Sequence, residues 1–364
     1  MKKLLFAFTI SLLLLVGCIH SQEKTSKIET IKIGWIGPLT GPSAVLGMDS
    51  ITAAQIAVDE VNAAGGIQGK KIELFFEDDQ YITKQSLTAY EKLVNQNKVQ
   101  AIIIQTYGAV FALAERAQKD RVVLLDTMDC NTQLVESGKN TFCLATDSDS
   151  LADVLANYAN THFKKVGILA FNSDAFMPYI QEQFTKTYTG EAVVEKYAAD
   201  VTDFRSILLK MKNEGVEALV LLGYDETGTA MKQAYDLEMN VPFLTTGTLT
   251  SPPLQEAAQG HAEGTVFAFW TIDKNTPEAK KFDETFAARK GRAPILDLAT
   301  YPTYDGMKYL AYALQSSNQP LAEALVHVSG FKGITGASQM AMDRSVRIPE
   351  GLFRLEQGKP VKIQ

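Results

Sequence analysis

Four histidines are scattered through this chain, and none has a setting that would make it a catalyst. His20 lies in a polar leader segment, His162 late in a helical pattern, His261 after Gly260, and His327 in another helix. General acid–base and nucleophilic chemistry need positioned partners. Gly-x-Ser-x-Gly, the turn that presents a nucleophilic serine, does not occur, and neither does G-x-x-x-x-G-K-[ST], so a P-loop nucleotide site is excluded. Three cysteines with four dispersed histidines leave little room for zinc or iron–sulfur ligation. The acid run Glu77-Asp78-Asp79 falls at a strand end, where a solvated or hinge-facing role fits better than catalysis. With 35 Lys and Arg against 42 Asp and Glu, the formal charge of −7 disfavours nucleic acid as a partner. These absences argue against an enzyme, and no cofactor or metal is expected.

The cysteines carry information on compartment. Met1-Lys2-Lys3 is a basic start, Leu4 to Val16 is almost wholly apolar, and Gly17-Cys18 closes the run. That apolar stretch is shorter than the ~20 residues of a spanning helix and reads as a secretory signal over residues 1–17. Leu15-Val16-Gly17-Cys18 resembles the bacterial lipobox, which makes Cys18 the expected site of lipid attachment; an ordinary signal with an incidental cysteine is the alternative. Losing Lys2 and Lys3 with the signal takes the charge from −7 to −9. Residues 18–30 are polar and patternless, as a flexible tether from membrane to domain would be. Outside the cytoplasm disulfides persist. With Cys18 lipidated, Cys130 and Cys143 remain as a pair, either bridged or present as two buried thiols.

The elements that position any site follow from hydrophobic runs. Ala101 to Ile104, Val122 to Leu125, Val166 to Leu169 and Leu219 to Leu222 are apolar at nearly every position. Continuous rather than alternating apolarity marks strands buried on both faces of a parallel sheet. Helical periodicity separates them: Ile51, Ala54, Val58 and Val61 share one face, as do Phe204, Ile207, Leu208 and Met211. The alternation predicts an α/β, doubly wound, Rossmann-like architecture with parallel sheets. A single core does not absorb 364 residues, so two lobes are expected, with a first break near Thr146–Asp149. Ligands in such sheets bind beyond the carboxyl ends of the strands.

Several segments carry a family resemblance. Ile31-Lys32-Ile33-Gly34, Gly37-Pro38-Leu39-Thr40-Gly41-Pro42 and Gly47 resemble the opening of the leucine/isoleucine/valine-binding proteins, the type I periplasmic binding proteins that feed ABC transporters. So do Val61-Asn62-Ala63-Ala64-Gly65-Gly66-Ile67-Gln68-Gly69-Lys70 and Asp78-Asp79. Asp203-Phe204, Gly223-Tyr224, Tyr304-Asp305-Gly306 and Phe331-x-Gly333-x-Thr335-Gly336 follow in the family's order. The resemblance covers residues 31 to 358. It implies two lobes joined by three hinge crossovers, lobe I as 31–148 plus 272–330 and lobe II as 149–271 plus 331–364. A solute would lie between closing lobes, and the partner would be an ABC permease in the cytoplasmic membrane. The protein itself would be a monomer outside the cytoplasm, in the periplasm or at the cell surface, held by its lipid. A sensor of the same fold, signalling to a membrane partner, is the alternative.

The resemblance also locates a pocket, and here the residues depart from the amino-acid-binding pattern. The loop expected to hold a ligand carboxylate is Gln105-Thr106-Tyr107-Gly108-Ala109, with Gly108 and Ala109 where serines would stand. The next is Asp126-Thr127-Met128-Asp129-Cys130-Asn131, whose two aspartates would repel a carboxylate. Asp129 or Asn131 could equally cap a short helix. Leu46 occupies an aromatic slot ahead of Gly47, Phe176 fills another, and Tyr224 keeps its place after Gly223. The acid expected near Gly247 to receive an ammonium is absent from Thr245-Thr246-Gly247-Thr248; Asp225, Asp126 or Asp129 are the possible substitutes. Gln105, Thr127, Thr248 and Tyr224 would then serve a neutral polar part, and Phe176, Tyr107 and Leu46 an apolar one. Core packing is the alternative for each aromatic.

Overall fold

The computed structural model describes residues 29–41 and 43–363. The signal, Cys18 and most of the tether therefore lie outside the described residues. The first sheet takes β1 (Ile31–Gly37), β2 (Ile72–Asp78), β3 (Ala101–Ile104), β4 (Val123–Asp126), β5 (Asp129–Cys130) and β6 (Thr141–Asp147). The second takes β7 (Lys165–Phe171), β8 (Glu191–Tyr197), β9 (Ala218–Leu222), β10 (Phe243–Thr245) and β11 (Val266–Trp270). Near the C-terminus the chain serves both sheets, β12 (Ser345–Ile348) joining the first, then β13 (Glu350–Glu356) and β14 (Lys359–Lys362) the second. The strand orders are 12-6-4-3-1-2, with β5 beside β6, and 14-13-11-10-9-7-8. Every pairing in the first sheet is parallel; in the second, only the β11–β13 and β13–β14 pairs are antiparallel.

The chain crosses between sheets after Asp147, after Trp270 and at Pro349. The last crossing corrects the sequence boundaries, because residues 331–348 belong with the first lobe and not the second. Ser345–Ile348 pairs in parallel with Cys143–Thr146, and Phe331 packs on Tyr309 with ring centroids 4.9 Å apart. The buried carboxylate of Asp305 ties down the segment between, accepting the Ile334 and Thr335 N–H groups at 2.9 Å each. A four-residue strand containing Arg347 gives no apolar run to announce it.

Each sheet is covered on both faces. Ala53, Ala54, Ala57 and Val58 pack with Met307 and Tyr309 under one face of the first sheet. Phe204, Leu208, Met211 and Met231 cover one face of the second. A third cluster runs unbroken from Ile104, Val110 and Cys130 in the first lobe through Leu151 and Tyr179 into the second. The lobes are closed on one another.

Candidate functional site

The carboxyl ends of the strands converge between the lobes, and each turn is held by its own acid. After β2, Asp78 accepts the Leu39 and Gln80 N–H groups at 2.8 and 3.0 Å. Asp79, fully buried, accepts the Tyr81 N–H at 2.9 Å and the Ser86 and Thr106 hydroxyls at 2.6 Å. These bonds hold Gln80 and Tyr81 at φ of 53° and 61°, a left-handed pair that non-glycine residues adopt rarely. The acid run is thus a scaffold that aims Tyr81 across the cleft.

After β4, the Asp126 Oδ1 accepts the N–H groups of Met128 and Asp129 at 2.7 and 2.9 Å. The turn delivers Asp129 to the short β5, where it registers with Thr146. Next to it, Cys130 and Cys143 form a disulfide with Cα atoms 5.2 Å apart, a separation natural to such a bridge. The disulfide pins the acid-bearing loop to β6. From the second lobe, the Tyr224 hydroxyl donates to Asp174 Oδ2 at 2.5 Å, while Asp174 Oδ1 accepts the Phe176 and Met177 N–H groups at 3.0 Å. Gly223 must be glycine, since a Cβ there would stand 2.0 Å from the Tyr197 hydroxyl.

The space so enclosed has a cavity volume of about 40 Å³, room for about three waters. Leu46, Tyr81, Met128, Asp129, Thr146 and Leu298 line it from the first lobe. Phe176, Tyr224, Thr246, Thr248, Phe269, Trp270 and Glu350 line it from the second. Leu46, Tyr224 and Thr248 also line an outer chamber of about 250 Å³, so they form the partition between the two.

Burial sets the electrostatics. It raises the Asp126 carboxyl to about 7 against the pull of its two N–H donors. Burial, then the charges of Asp126 and Asp174, hold Asp129 well above the usual carboxylate range. Burial, then the charge of Asp147, does the same to Glu350, and burial raises Asp174 despite the Tyr224 bond. Oδ2 of Asp126, Oδ2 of Asp129 and Oε2 of Glu350 are buried with no hydrogen-bond partner among the described residues.

Of the residues singled out by sequence, the fold gathers Leu46, Asp129, Phe176, Tyr224 and Thr248 around the cavity and turns the other five away from it. Gln105 Nε2 donates to Thr303 at 2.9 Å, and Thr127 lies 2.9 Å from the same hydroxyl, so both face the helix Asp297–Ser316. Tyr107 is wedged between Phe111 and Phe176, its hydroxyl accepting from Asn131 at 3.0 Å. Gly108 approaches Thr83, where a Cβ would come to 2.8 Å, and Ala109 is buried core. Asn131 is the helix cap, accepting the Leu134 N–H at 2.8 Å; Asp129 is not. Tyr81, Met128, Phe269 and Glu350 were not anticipated, and for Trp270 the sequence favoured core packing over a place in the pocket. Strand-end position alone would have found Trp270, the last residue of β11.

Comparison with known proteins gives concordant results. Residues 30–354 match a family model described as periplasmic binding protein. The Leu/Ile/Val-binding protein BraC3 of Rhizobium johnstonii is 27% identical over 285 residues, spanning 76% of this chain and 78% of that one. The branched-chain amino acid transporter substrate binding protein LivJ of Streptococcus pneumoniae, solved with isoleucine, superposes with a TM-score of 0.82 at 27% identity, over 92% of this chain and 100% of that one. An R. palustris solute binding protein in complex with 4-hydroxybenzoate has a TM-score of 0.80 over 92% of this chain and 96% of that one; at 20% identity that likeness is one of fold.

Proposed function

The chain belongs to the periplasmic binding protein family, and from that premise we propose that it is the solute-binding component of an ABC transporter of the branched-chain amino-acid type. It binds rather than catalyses, consistent with the binding proteins it resembles. The observation that carries this reading is a buried cavity walled by both lobes, with Tyr81 and Asp129 on one side and Phe176 and Tyr224 on the other. A solute that touches both walls favours the closed state by its differential contacts, which is how a hinged trap works. The solute is small and polar or amphipathic, with its polar part at Asp129, Thr248 and Tyr224 and its apolar part at Leu46 and Phe176.

No described helix is long and apolar enough to cross a membrane, and the family implies a place outside the cytoplasm. We infer that Cys18 carries the lipid that holds the protein beside its permease. Replacing Cys18 by Ser should release the protein from membranes, and unchanged membrane retention would count against the anchor.

A thermal-shift screen of the chain from residue 19 onward tests the function. The panel holds branched-chain and aromatic amino acids, amines, amides, aromatic acids, polyols and nucleosides. A site-specific solute at 100 times its Kd stabilises by about 2.7 kcal/mol. A panel without any response would argue against a solute trap.

A further inference from the structure

The walls of the cavity carry acid and no base. Asp129 and Glu350 face the inner chamber from opposite lobes, Asp225 and Glu226 face the outer one, and neither wall contains Lys, Arg or His. Asp225 and Glu226 have donors, Ser251 for the first and the Tyr197 hydroxyl for the second. Asp129 is 3% exposed, and its Oδ2 is buried with no hydrogen-bond partner among the described residues. Glu350 Oε2 is likewise buried and unpartnered. Buried polar groups are normally satisfied, so an unpartnered acid oxygen on the cavity wall marks a missing donor.

The rest of the wall suits the same visitor. Trp270, Phe269, Phe176 and Tyr224 enclose the inner chamber, and desolvated ring faces attract cations. A ligand carboxylate would meet no cationic side chain and would stand against carboxyls from both lobes. Among the described residues no group of three or more metal-ligating side chains converges, which points away from a metal ion as the visitor.

Resting on the solute-trap reading, we propose that the solute is an organic cation, a protonated amine or amidinium on a small apolar body, whose N–H groups meet Asp129, the buried acid of the first-lobe wall, without need of a ligand carboxylate. A cation held at Asp129 and enclosed by the second lobe's rings makes the ligand part of the closure itself.

Leucine and its two halves give the test, by calorimetry on the mature protein. 3-Methylbutylamine is leucine without its carboxylate, and 4-methylpentanoate is leucine without its amine; phenylalanine, phenethylamine and 3-phenylpropanoate repeat the comparison with a ring. The amine of at least one series should bind at least tenfold tighter than its amino acid, and the acids should not bind. Affinity should rise from about pH 5.5 to about pH 8, because the cation needs ionised partners. The groups facing it are Asp129, Glu350, Asp126, Asp174, Tyr81 and Tyr224. Asp129→Asn should weaken the amine at least tenfold, with the unliganded melting temperature read alongside to exclude unfolding. Tighter binding of the amino acid or the acid, affinity that rises as pH falls, amine binding indifferent to that substitution, or binding of neither amine overturns the proposal. If an amino acid or acid binds, the trap stands and only the cation falls; if no solute of any charge class binds, both fall.

Discussion

Tyr81 of the first lobe meets Tyr224 of the second edge to face, ring centroids 6.5 Å apart and planes at 78°. Each comes from a turn that is itself anchored, Tyr81 by Asp79 and Tyr224 through the Asp174 carboxyl. An aromatic pair of this geometry contributes about 0.5–1.5 kcal/mol beyond its buried area. The contact joins one lobe to the other, so it acts as a latch beside the cavity.

Tyr224→Ala should therefore weaken solute binding at least tenfold without unfolding the protein, because it removes both latch and cavity wall. Tyr224→Phe, which keeps the ring and loses only the bond to Asp174, should weaken it less. Calorimetry with a solute found in the screen decides the matter: unchanged affinity for the alanine variant would remove Tyr224 from the site.

The Cys130–Cys143 bridge closes a loop of sequence separation 13 and holds Asp129 in place. For a loop of that size the chain-entropy model gives a stabilisation of roughly 3 kcal/mol. Cys143→Ser should lower the urea midpoint accordingly and weaken ligand binding as well, since the acid-bearing loop is released. Intact mass of protein from an oxidising compartment should show no free thiol among these two. Two free thiols would end the claim.

Proton uptake by the buried acids makes stability depend on pH in an unusual direction. Asp126 is raised by burial to about 7, and burial raises Asp129, Asp174 and Glu350 too. The folded state thus keeps protons that the unfolded chain gives up near pH 4. The stability these neutral forms confer is full below about pH 4 and is lost as pH rises through their folded values. Carboxylates held low, such as Asp78 with its Thr40 and backbone donors, act in the opposite sense, but only as pH falls below about 4. The unliganded melting temperature should therefore fall from about pH 5 to about pH 8. Asp129→Asn should flatten that profile and raise the melting temperature at the alkaline end. A profile that rises over the same interval would show that the acids ionise freely in the fold.

The architecture was legible because buried parallel strands announce themselves: Ala101–Ile104 and Ala218–Leu222 are fully buried, and both read as continuous apolar runs. The site was only half legible. Strand-end position drew attention to Phe176 and Tyr224, which line the cavity, but position along the chain does not say which way a side chain turns. Gln105 and Thr127 sit at strand ends too, yet Thr303 on the helix behind them takes their hydrogen bonds. Tyr81 was hidden because its orientation depends on a left-handed pair stabilised by Asp78 and Asp79, which looked like surface acids. Glu350 was hidden because the chain returns to the first sheet through β12 before it enters the second.

Two fragments that were separately weak in sequence, Tyr304-Asp305-Gly306 and Phe331-x-Gly333-x-Thr335, turn out to be one contact. Asp305 Oδ1 accepts the Ile334 N–H, and Oδ2 accepts both the N–H and, at 2.5 Å, the hydroxyl of Thr335. Gly333 lies so close that a Cβ would stand 2.3 Å from Oδ2. Burial raises this carboxyl to about 6, with the Thr335 and Ile334 donors pulling the other way. Asp305→Ala strands buried donors and should destabilise the protein by about 3 kcal/mol. Gly333→Ala should destabilise as well, by forcing the carboxylate away from the same donors. The two should not add: once Asp305 is shortened to alanine, the new methyl at 333 has nothing to strike, so the double variant should be more stable than the sum of the singles implies. Both singles should still bind solute, because the contact lies behind the first sheet and away from the cavity. Urea unfolding of the four proteins reads the cycle, and strict additivity would mean that Gly333 serves backbone freedom rather than its approach to Asp305.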